Sequence, residues 1–517
     1  MYRLSLFLLA TLSFIAPVSA SNIVVLPQEN SGNTTGYIYS PEPFTQIGTI
    51  AVDPLAFEAI WHPNGQKLYV FSKSLTKSIA VFSGSSPYAE TTSRSLANIT
   101  TAKISPDGRR LLVLSQALRI YDTATDQEIT GLNTCGDTNC VPVDVDFSID
   151  SSRAFVLNSN GTLVAINLGN NTIGSRLSIA NGPTTMMVGA TGLIYVTAQN
   201  RLLEIDGRDA LIQIGAEIPI TGSNCLKPQF TPDGSRIVVA CNVIGSTQIY
   251  VVDTITRTIA QSTIPSAVAE RFKVTSNSTA LYYVGVSNTV FRGGLVSPLV
   301  NPVQLELGGT GVLTGGRYLV TSDEQPSNRY FFSNVSNTLS RINLETNSLN
   351  SSISQPTFVG PSFFTGRAPT GIPFSLITIT PSQSAVQGQR GRPLVVRALD
   401  SSTRPLSGVT INFASSTTNF PFDQSAAITN KDGYATISYT APSTTGTFSV
   451  TASTSGSQGQ SFTINVTGTG NPGGGGGGGG NPGAPLPIEI VSGNGQLVLS
   501  QFLAPQALTV RVRDGAG

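Results

Sequence analysis

A unit of about 43 residues, restated along the first two-thirds of the chain, constrains the fold more than any other feature. It is clearest in Ala102–Ile129 (AKISPDGRRLLVLSQALRIYDTATDQEI), which reads as three short strands. Ala102–Ser105 is followed by a Pro106-Asp107-Gly108 turn and by Leu111–Leu114; a second turn leads to Leu118–Tyr121, and Asp122–Thr125 closes the unit. Proline presets φ for such a turn and glycine supplies the left-handed position, so the flanking apolar runs pair as a hairpin. With the turn residue as origin, Pro63, Pro106, Ile149, Ala190, Pro232 and Ser276 are equivalent, at intervals of 43, 43, 41, 42 and 44 residues. Two positions earlier stand Trp61, Ile104, Phe147, Val188, Phe230 and Val274, and a second apolar strand begins at Leu68, Leu111, Ala154, Ile194, Ile237 and Leu281. Three strands cannot bury both faces of their own sheet, so each unit needs neighbours of the same kind.

A period near 42 with several strands per unit is the signature of a propeller blade. The third strands end in Asx and Thr turns, at Asp122, Asn167, Asp253 and Asn343. Such side chains cap turn backbone without a metal. A seventh unit, Pro326–Leu349, follows the sixth after about 50 residues. Tyr37–Ser40 and Thr45–Val52 read as the closing part of a unit that completes the last blade and protects its edge. The expected fold is all-β: a β-propeller of about seven blades over residues 21–374, with six or eight as the alternatives, then the C-terminal modules described below. Segments such as Gly192–Thr197 (GLIYVT) and Pro232–Val239 (PDGSRIVV) resemble YVTN-type propeller repeats, relatives of WD40 and lactonase-like propellers, over about residues 40–370. The resemblance implies a fold that hosts binding scaffolds and enzymes alike.

Charged residues make up 11% of the chain and the net charge is +1, which offers no electrostatic footprint for nucleic acid and no polybasic membrane anchor. Arg3, the apolar run Leu4–Ile15 and the small residues Val18-Ser19-Ala20 make residues 1–20 a secretory signal peptide, so an exported protein beginning at Ser21 is expected. The run is too short for a transmembrane anchor, no cysteine follows it to carry a lipid, and no later segment is apolar enough to span a bilayer. Four cysteines suit an oxidising compartment. Cys225 and Cys241 flank a hairpin whose tip is Asp233, so they face each other across two strands, and Cys135 with Cys140 closes a small loop. Neither spacing fits a metal site.

Five positions before each turn residue the units carry Glu58, Thr101, Asp144, Thr185, Lys227 and Arg271. Mixed charge there, on the first strand of each unit, places a ring of polar groups at a central channel, where lactonase-type propellers work. The competing expectation is that these side chains pair between adjacent blades. The single histidine, His62, stands in a turn beside Pro63 and reads as a solvated residue. No GxSxG, HExxH, Walker A or EF-hand pattern occurs, and Asp144-Val145-Asp146 lacks the rest of a calcium loop. No cofactor and no metal are expected.

Beyond about Ser375 the period vanishes. Leu376–Thr380, Pro393–Asp400, Pro405–Phe413, Ala427–Ser438, Gly446–Ala452 and Ser461–Thr467 read as strands and hairpins of an immunoglobulin-like sandwich over 375–467, without a cysteine. The order LVVRALD, PLSGVTINF, TNKDGYATISY, GTFSVTA resembles the bacterial Ig-like modules of the invasin/intimin type (Big-1), with Asp400 ending a strand and Asp432-Gly433 turning a hairpin. That resemblance implies a stalk or presenting arm on a bacterial surface. Residues 468–487, with eight consecutive glycines, read as a disordered linker spanning roughly 25 Å. Residues 488–517 restart the pattern, with Leu508–Asp514 matching Leu394–Asp400, as the truncated start of a second such module in a longer natural chain. Eight N-x-S/T sequons, including Asn33, Asn160 and Asn465, reflect composition and are expected to be unmodified.

Two functions follow, beside that of a purely structural envelope protein. One is a secreted or cell-surface adhesion scaffold, not an enzyme, with a monomeric propeller head that binds an extracellular protein or carbohydrate. The other is an exported lactonase-like enzyme with Ig-like spacers. One histidine and no catalytic motif favour the first.

Overall fold

The computed structural model describes residues 22–354 and 373–468, less a number of connecting residues, and the strands at 488–492 and 509–512; in the last two repeat sheets it describes strands and few side chains. The expected leader (1–20) and most of the glycine-rich linker lie outside the described residues. All the regular elements described are strands.

The repeats fold into successive antiparallel sheets, each formed in chain order, so that every connection inside a sheet is a hairpin. Sheet one contains Ala56–Trp61, Lys67–Ser72, Ile79–Ser83 and Glu90–Arg94. Sheet two contains Thr101–Ile104, Arg110–Leu114, Leu118–Asp122 and Gln127–Leu132. Sheet three contains Pro142–Phe147, Arg153–Asn158, Thr162–Asn167 and Thr172–Ser178. Sheet four contains Pro183–Val188, Leu193–Ala198 and Arg201–Asp206, with its outer strand split into Ile212–Gln213 and Ile218–Pro219. Sheet five contains Gln229–Phe230, Arg236–Val243, Ser246–Asp253 and Ile259–Pro265. Sheet six contains Ala269–Val274, Ala280–Gly285, Val290–Gly294 and Val303–Gln304. Sheet seven contains Gly316–Ser322, Tyr330–Val335, Thr338–Asn343 and Ser348–Ser354.

Second and third strands are apolar on both faces because both are covered. Leu111–Leu114 and Leu193–Ala198 are buried throughout, whereas the fourth strand Thr172–Ser178 alternates between exposed and half-buried. The core is accordingly a series of seams between neighbouring sheets. Tyr69, Phe71 and Val81 of sheet one meet Ile104, Leu111 and Val113 of sheet two. Phe155, Leu157 and Leu163 meet Met186, Ile194 and Val196, and Tyr195 and Leu202 meet Ile237 and Val239. Burying an Ile, Leu or Phe side chain in such a seam contributes about 1.5–3 kcal/mol, and together the seams order the sheets side by side.

One expectation is corrected. Ile23–Val25, Thr35–Pro41 and Phe44–Ala51 do not complete the last blade; they form a three-stranded sheet of their own, and sheet seven already holds four strands. The reason is packing. Val24, Leu26, Ile38 and Ile50 cover Trp61, Leu68, Val70 and Phe82 of sheet one.

Residues 375–467 form a separate sandwich. Ser375–Thr378, Leu394–Leu399 and Tyr434–Ile437 make one sheet; Ser382–Val386, Ser457–Thr467, Gly446–Thr454, Thr410–Ser415 and Ala426–Ile428 make the other, in that spatial order. Leu394, Val396, Ile411, Phe413, Val450, Phe462 and Ile464 fill the space between them, so apolar packing does the work of an inter-sheet disulfide. Asn430 shapes the predicted turn, accepting hydrogen bonds from the N–H groups of Asp432 and Tyr434 (2.9 and 3.0 Å). Beyond the linker, Ile488–Ser492 pairs antiparallel with Thr509–Val512, as Ser375–Thr378 pairs with Leu394–Leu399.

Candidate functional site

Of the polar positions singled out in the sequence, Glu58, Thr101, Asp144, Thr185 and Arg271 lie on first strands and Lys227 stands two residues before the first strand of sheet five; a recurrent irregularity aims four of them. Pairing jumps from Ala56↔Ser72 to Glu58↔Phe71, from Pro142↔Asn158 to Asp144↔Leu157, from Pro183↔Ala198 to Thr185↔Thr197, and from Ala269↔Gly285 to Arg271↔Val284. Each jump is a β-bulge one residue before the ring position, and a bulge bends its strand and redirects the side chains beside it. Arg271 sits at that register, with its side chain outside the described residues.

What the other five do is specific. Each first strand is an edge of its own sheet, so part of its backbone N–H row needs partners from elsewhere. Glu58 Oε2 accepts from Ala102 N (3.1 Å) and Thr101 Oγ1 (3.4 Å) of sheet two. Asp144 Oδ2 accepts from Met186 N (2.9 Å) and Thr185 Oγ1 (2.8 Å) of sheet four, and Asp146 Oδ2 accepts from Val188 N (3.1 Å). Gln229 repeats the device between sheets five and six, accepting from Val274 N (3.1 Å) and donating to Phe272 O (2.6 Å). Lys103 of sheet two donates to Asp146 of sheet three, and Lys227 of sheet five reaches past sheet four to Asp144 Oδ1 at 2.6 Å.

Lys103, Asp144, Asp146 and Lys227 thus form one charge cluster, deep in the molecule yet open to water: 35% of the Lys103 side chain and 41% of the Lys227 side chain are exposed. Burial pulls the Lys103 pKa down, and Asp146 only partly offsets it. Burial opposes the charge on Lys227 as well, but Asp144 and Asp146 together outweigh it and hold that pKa up. For Asp146, burial is outweighed by Lys103 and then Lys227, so its carboxyl lies below the ordinary range. The cluster joins sheets two to five by neutralising its own charges in place.

A second set of links joins the sheets at the end that carries the first-to-second and third-to-fourth turns. Lys67, at the start of its second strand, donates to Asp126 Oδ2 (2.7 Å) and Thr123 O (2.6 Å) in the next sheet's turn. Arg153 donates to Gly207 O (2.8 Å) and Arg236 to Leu295 O (2.7 Å) in the same sense. His62 belongs to this set and is not the solvated residue expected: its Nε2 lies 2.9 Å from Gly108 O, while its Nδ1 accepts from Asn64 N at 3.2 Å. Those partners select the neutral Nε2–H tautomer, and burial lowers the pKa. A crevice between sheets one and two, lined in part by Tyr69, Tyr121 and Asp126, lies apart from the first-strand cluster.

Asp144 and Lys227 are among the site positions expected from the sequence, whereas Lys103, Asp146, Gln229 and the turn-side cations are not. Period-two alternation placed Lys103, Asp146 and Gln229 on the same strand face as the chosen positions, and the cations recur four positions after the turn residue at Pro63, Ile149 and Pro232.

Both expected disulfides are present: Cys225–Cys241, with Cα atoms 3.9 Å apart, and Cys135–Cys140, at 5.6 Å. They lie at the opposite end of the sheets, where second strands pass to third and fourth strands to the next first. Leu75, Val141 and Val243, all exposed, lie at that end too. Among the described residues no group of three or more His, Cys, Asp or Glu side chains is placed to hold a metal ion, and no helix is long and apolar enough to cross a membrane.

Comparison with known proteins adds two findings. Residues 375–467 match the bacterial Ig-like domain (group 1) family. The chain is similar in structure to the dihydro-heme d1 dehydrogenase NirN in complex with DHE (TM-score 0.52, 13% identity, 65% of this chain and 73% of that one). It is also similar to apo AztD from Citrobacter koseri (TM-score 0.51, 11% identity, 69% of this chain and 100% of that one). At these identities the likeness concerns the fold: the N-terminal multi-sheet region resembles β-propeller proteins. A search of curated protein sequences returns no significant match.

Proposed function

We propose that this protein is an exported bacterial binding scaffold of the adhesion type, in which a propeller head is carried on Ig-like modules. The observation that carries the reading is the pairing of a propeller-like multi-sheet region with a bacterial Ig-like domain (group 1). The state of the first-strand cluster supports it: Glu58, Asp144, Asp146, Lys103 and Lys227 are engaged in bonds between sheets, the arrangement a rigid support needs. We read the head as the seven repeat sheets plus the N-terminal one. Ile23–Val25 is fully buried like the second strands and Phe44–Ala51 largely exposed like the fourth strands. Its ligand is an extracellular protein or carbohydrate, met at the disulfide-bearing end, where the loops differ most from unit to unit.

The test is to screen the purified chain against extracellular proteins, carbohydrates and lactones. Saturable binding that weakens when Leu75 and Val141 are changed to Asp, with no turnover, is the expected result. Lactone turnover abolished by Glu58→Gln, Asp144→Asn or Arg271→Gln would establish the lactonase-like enzyme instead.

A further inference from the structure

The turn end of sheet five is in contact with the Ig-like sandwich. Gly234, at the first turn of sheet five with φ +70°, has no side chain; a Cβ there would lie 2.7 Å from Ile379 Cγ2, just beyond the first strand of the sandwich. The turn is locally firm, since Thr254 Oγ1 donates to Gly234 O at 2.9 Å and Gly234 N donates to Thr231 O at 2.8 Å. In sheet four the corresponding third-to-fourth turn holds Asp206 and Arg208 as a two-pronged pair, with Nε–Oδ1 at 2.9 Å and Nη2–Oδ2 at 2.5 Å.

We infer that the Ig-like sandwich is docked on the turn end of sheets four and five, with Ile379 seated on Gly234 beside the Asp206–Arg208 pair, so that head and first module form one body.

Charge placement agrees. Burial pushes the Tyr439 hydroxyl up to about 12, and the Arg208 charge opposes that rise across the junction. Asp206 is held low against burial chiefly by Arg208, with a further contribution from Arg392 of the sandwich. Arg392 follows Gly391, which packs against the Tyr439 ring, so these groups belong to one corner of the sandwich. The occupant of this surface is therefore a stated segment of the same chain, and its position has a consequence. With the module on the turn end, the opposite end, bearing both disulfides and Leu75, Val141 and Val243, faces away from it. The inference does not depend on what the head binds.

Cross-linking tests it in the full chain. A Gly234→Cys/Ile379→Cys pair places its Cβ atoms within the roughly 3.5–4.5 Å a disulfide requires, whereas a Leu75→Cys/Ile379→Cys control puts one partner at the far end. Peptide mapping under non-reducing conditions should find the 234–379 bridge in most molecules and the control bridge in few. Because cysteine at φ +70° strains the turn, small-angle scattering of the unmodified chain and of Ile379→Arg provides a second reading. Docking predicts a larger radius of gyration for Ile379→Arg, with unchanged circular dichroism. Equal bridging in both cysteine pairs, or a radius that Ile379→Arg leaves unchanged, overturns the inference.

Discussion

Asp144 is the most heavily engaged member of the first-strand cluster, and replacing it with alanine should destabilise the repeat sheets measurably. Its carboxylate accepts from Met186 N, Thr185 Oγ1 and Lys227 Nζ in two other sheets. The Met186 residue is fully buried, and a buried N–H left without an acceptor costs about 1–3 kcal/mol. Stranding Lys227 adds less than the 3–5 kcal/mol of a wholly buried pair. With 41% of its side chain exposed, water replaces much of what Asp144 supplied, so a contribution of about 0–1 kcal/mol is the better figure. The expected loss is therefore about 1–4 kcal/mol. Urea unfolding followed through Trp61, the only tryptophan, would measure it. Far-ultraviolet circular dichroism should give a coincident transition if the sheets unfold together. Adding Lys227→Met to Asp144→Ala should recover part of the loss, with a coupling on the order of 0.5 kcal/mol or more. A loss below about 0.5 kcal/mol for Asp144→Ala would mean that the cluster does not join the sheets.

Three further outcomes follow from the same structure. His62 has a folded-state pKa below the ordinary 6.5, so both states are neutral above that pH and it contributes no slope there. As the pH falls through 6.5 the unfolded chain takes the proton first and stability declines until the lowered folded pKa is passed; urea midpoints between pH 8 and 5 should show a His62-dependent slope that His62→Gln removes. Gly108→Ala should cost more than the roughly 1–2 kcal/mol of a left-handed alanine, because its Cβ would lie 2.8 Å from His62 Cε1. Gly136→Ala, at φ +83° with nothing within 4 Å, is the matched control, and equal melting shifts for the two would refute the His62 contact. Removing Cys225–Cys241 by paired serines should destabilise by about 3 kcal/mol and removing Cys135–Cys140 by about 2 kcal/mol on loop-closure entropy. The closed loops span 16 and 5 residues respectively, and thermal unfolding of the two double variants should preserve that order.

The sequence alone determined whatever depends on local periodicity. The Pro106-Asp107-Gly108 turn and its sister turns, the apolar strands, both cysteine pairings and the succession of strands and hairpins in the sandwich all follow from turn chemistry and side-chain alternation over short distances. The tertiary structure decided how units meet. Whether Glu58 and Asp144 line an open channel or bond to the neighbouring sheet depends on β-bulges one residue upstream, which carry no composition signal. The role of His62 depends on Gly108, 46 residues away along the chain. The N-terminal strands read as the end of the last unit, yet they form a sheet of their own against Trp61 and Phe82. A hairpin is dictated by its own few residues, but a seam between sheets is a contact between distant segments, settled only by which faces fit together.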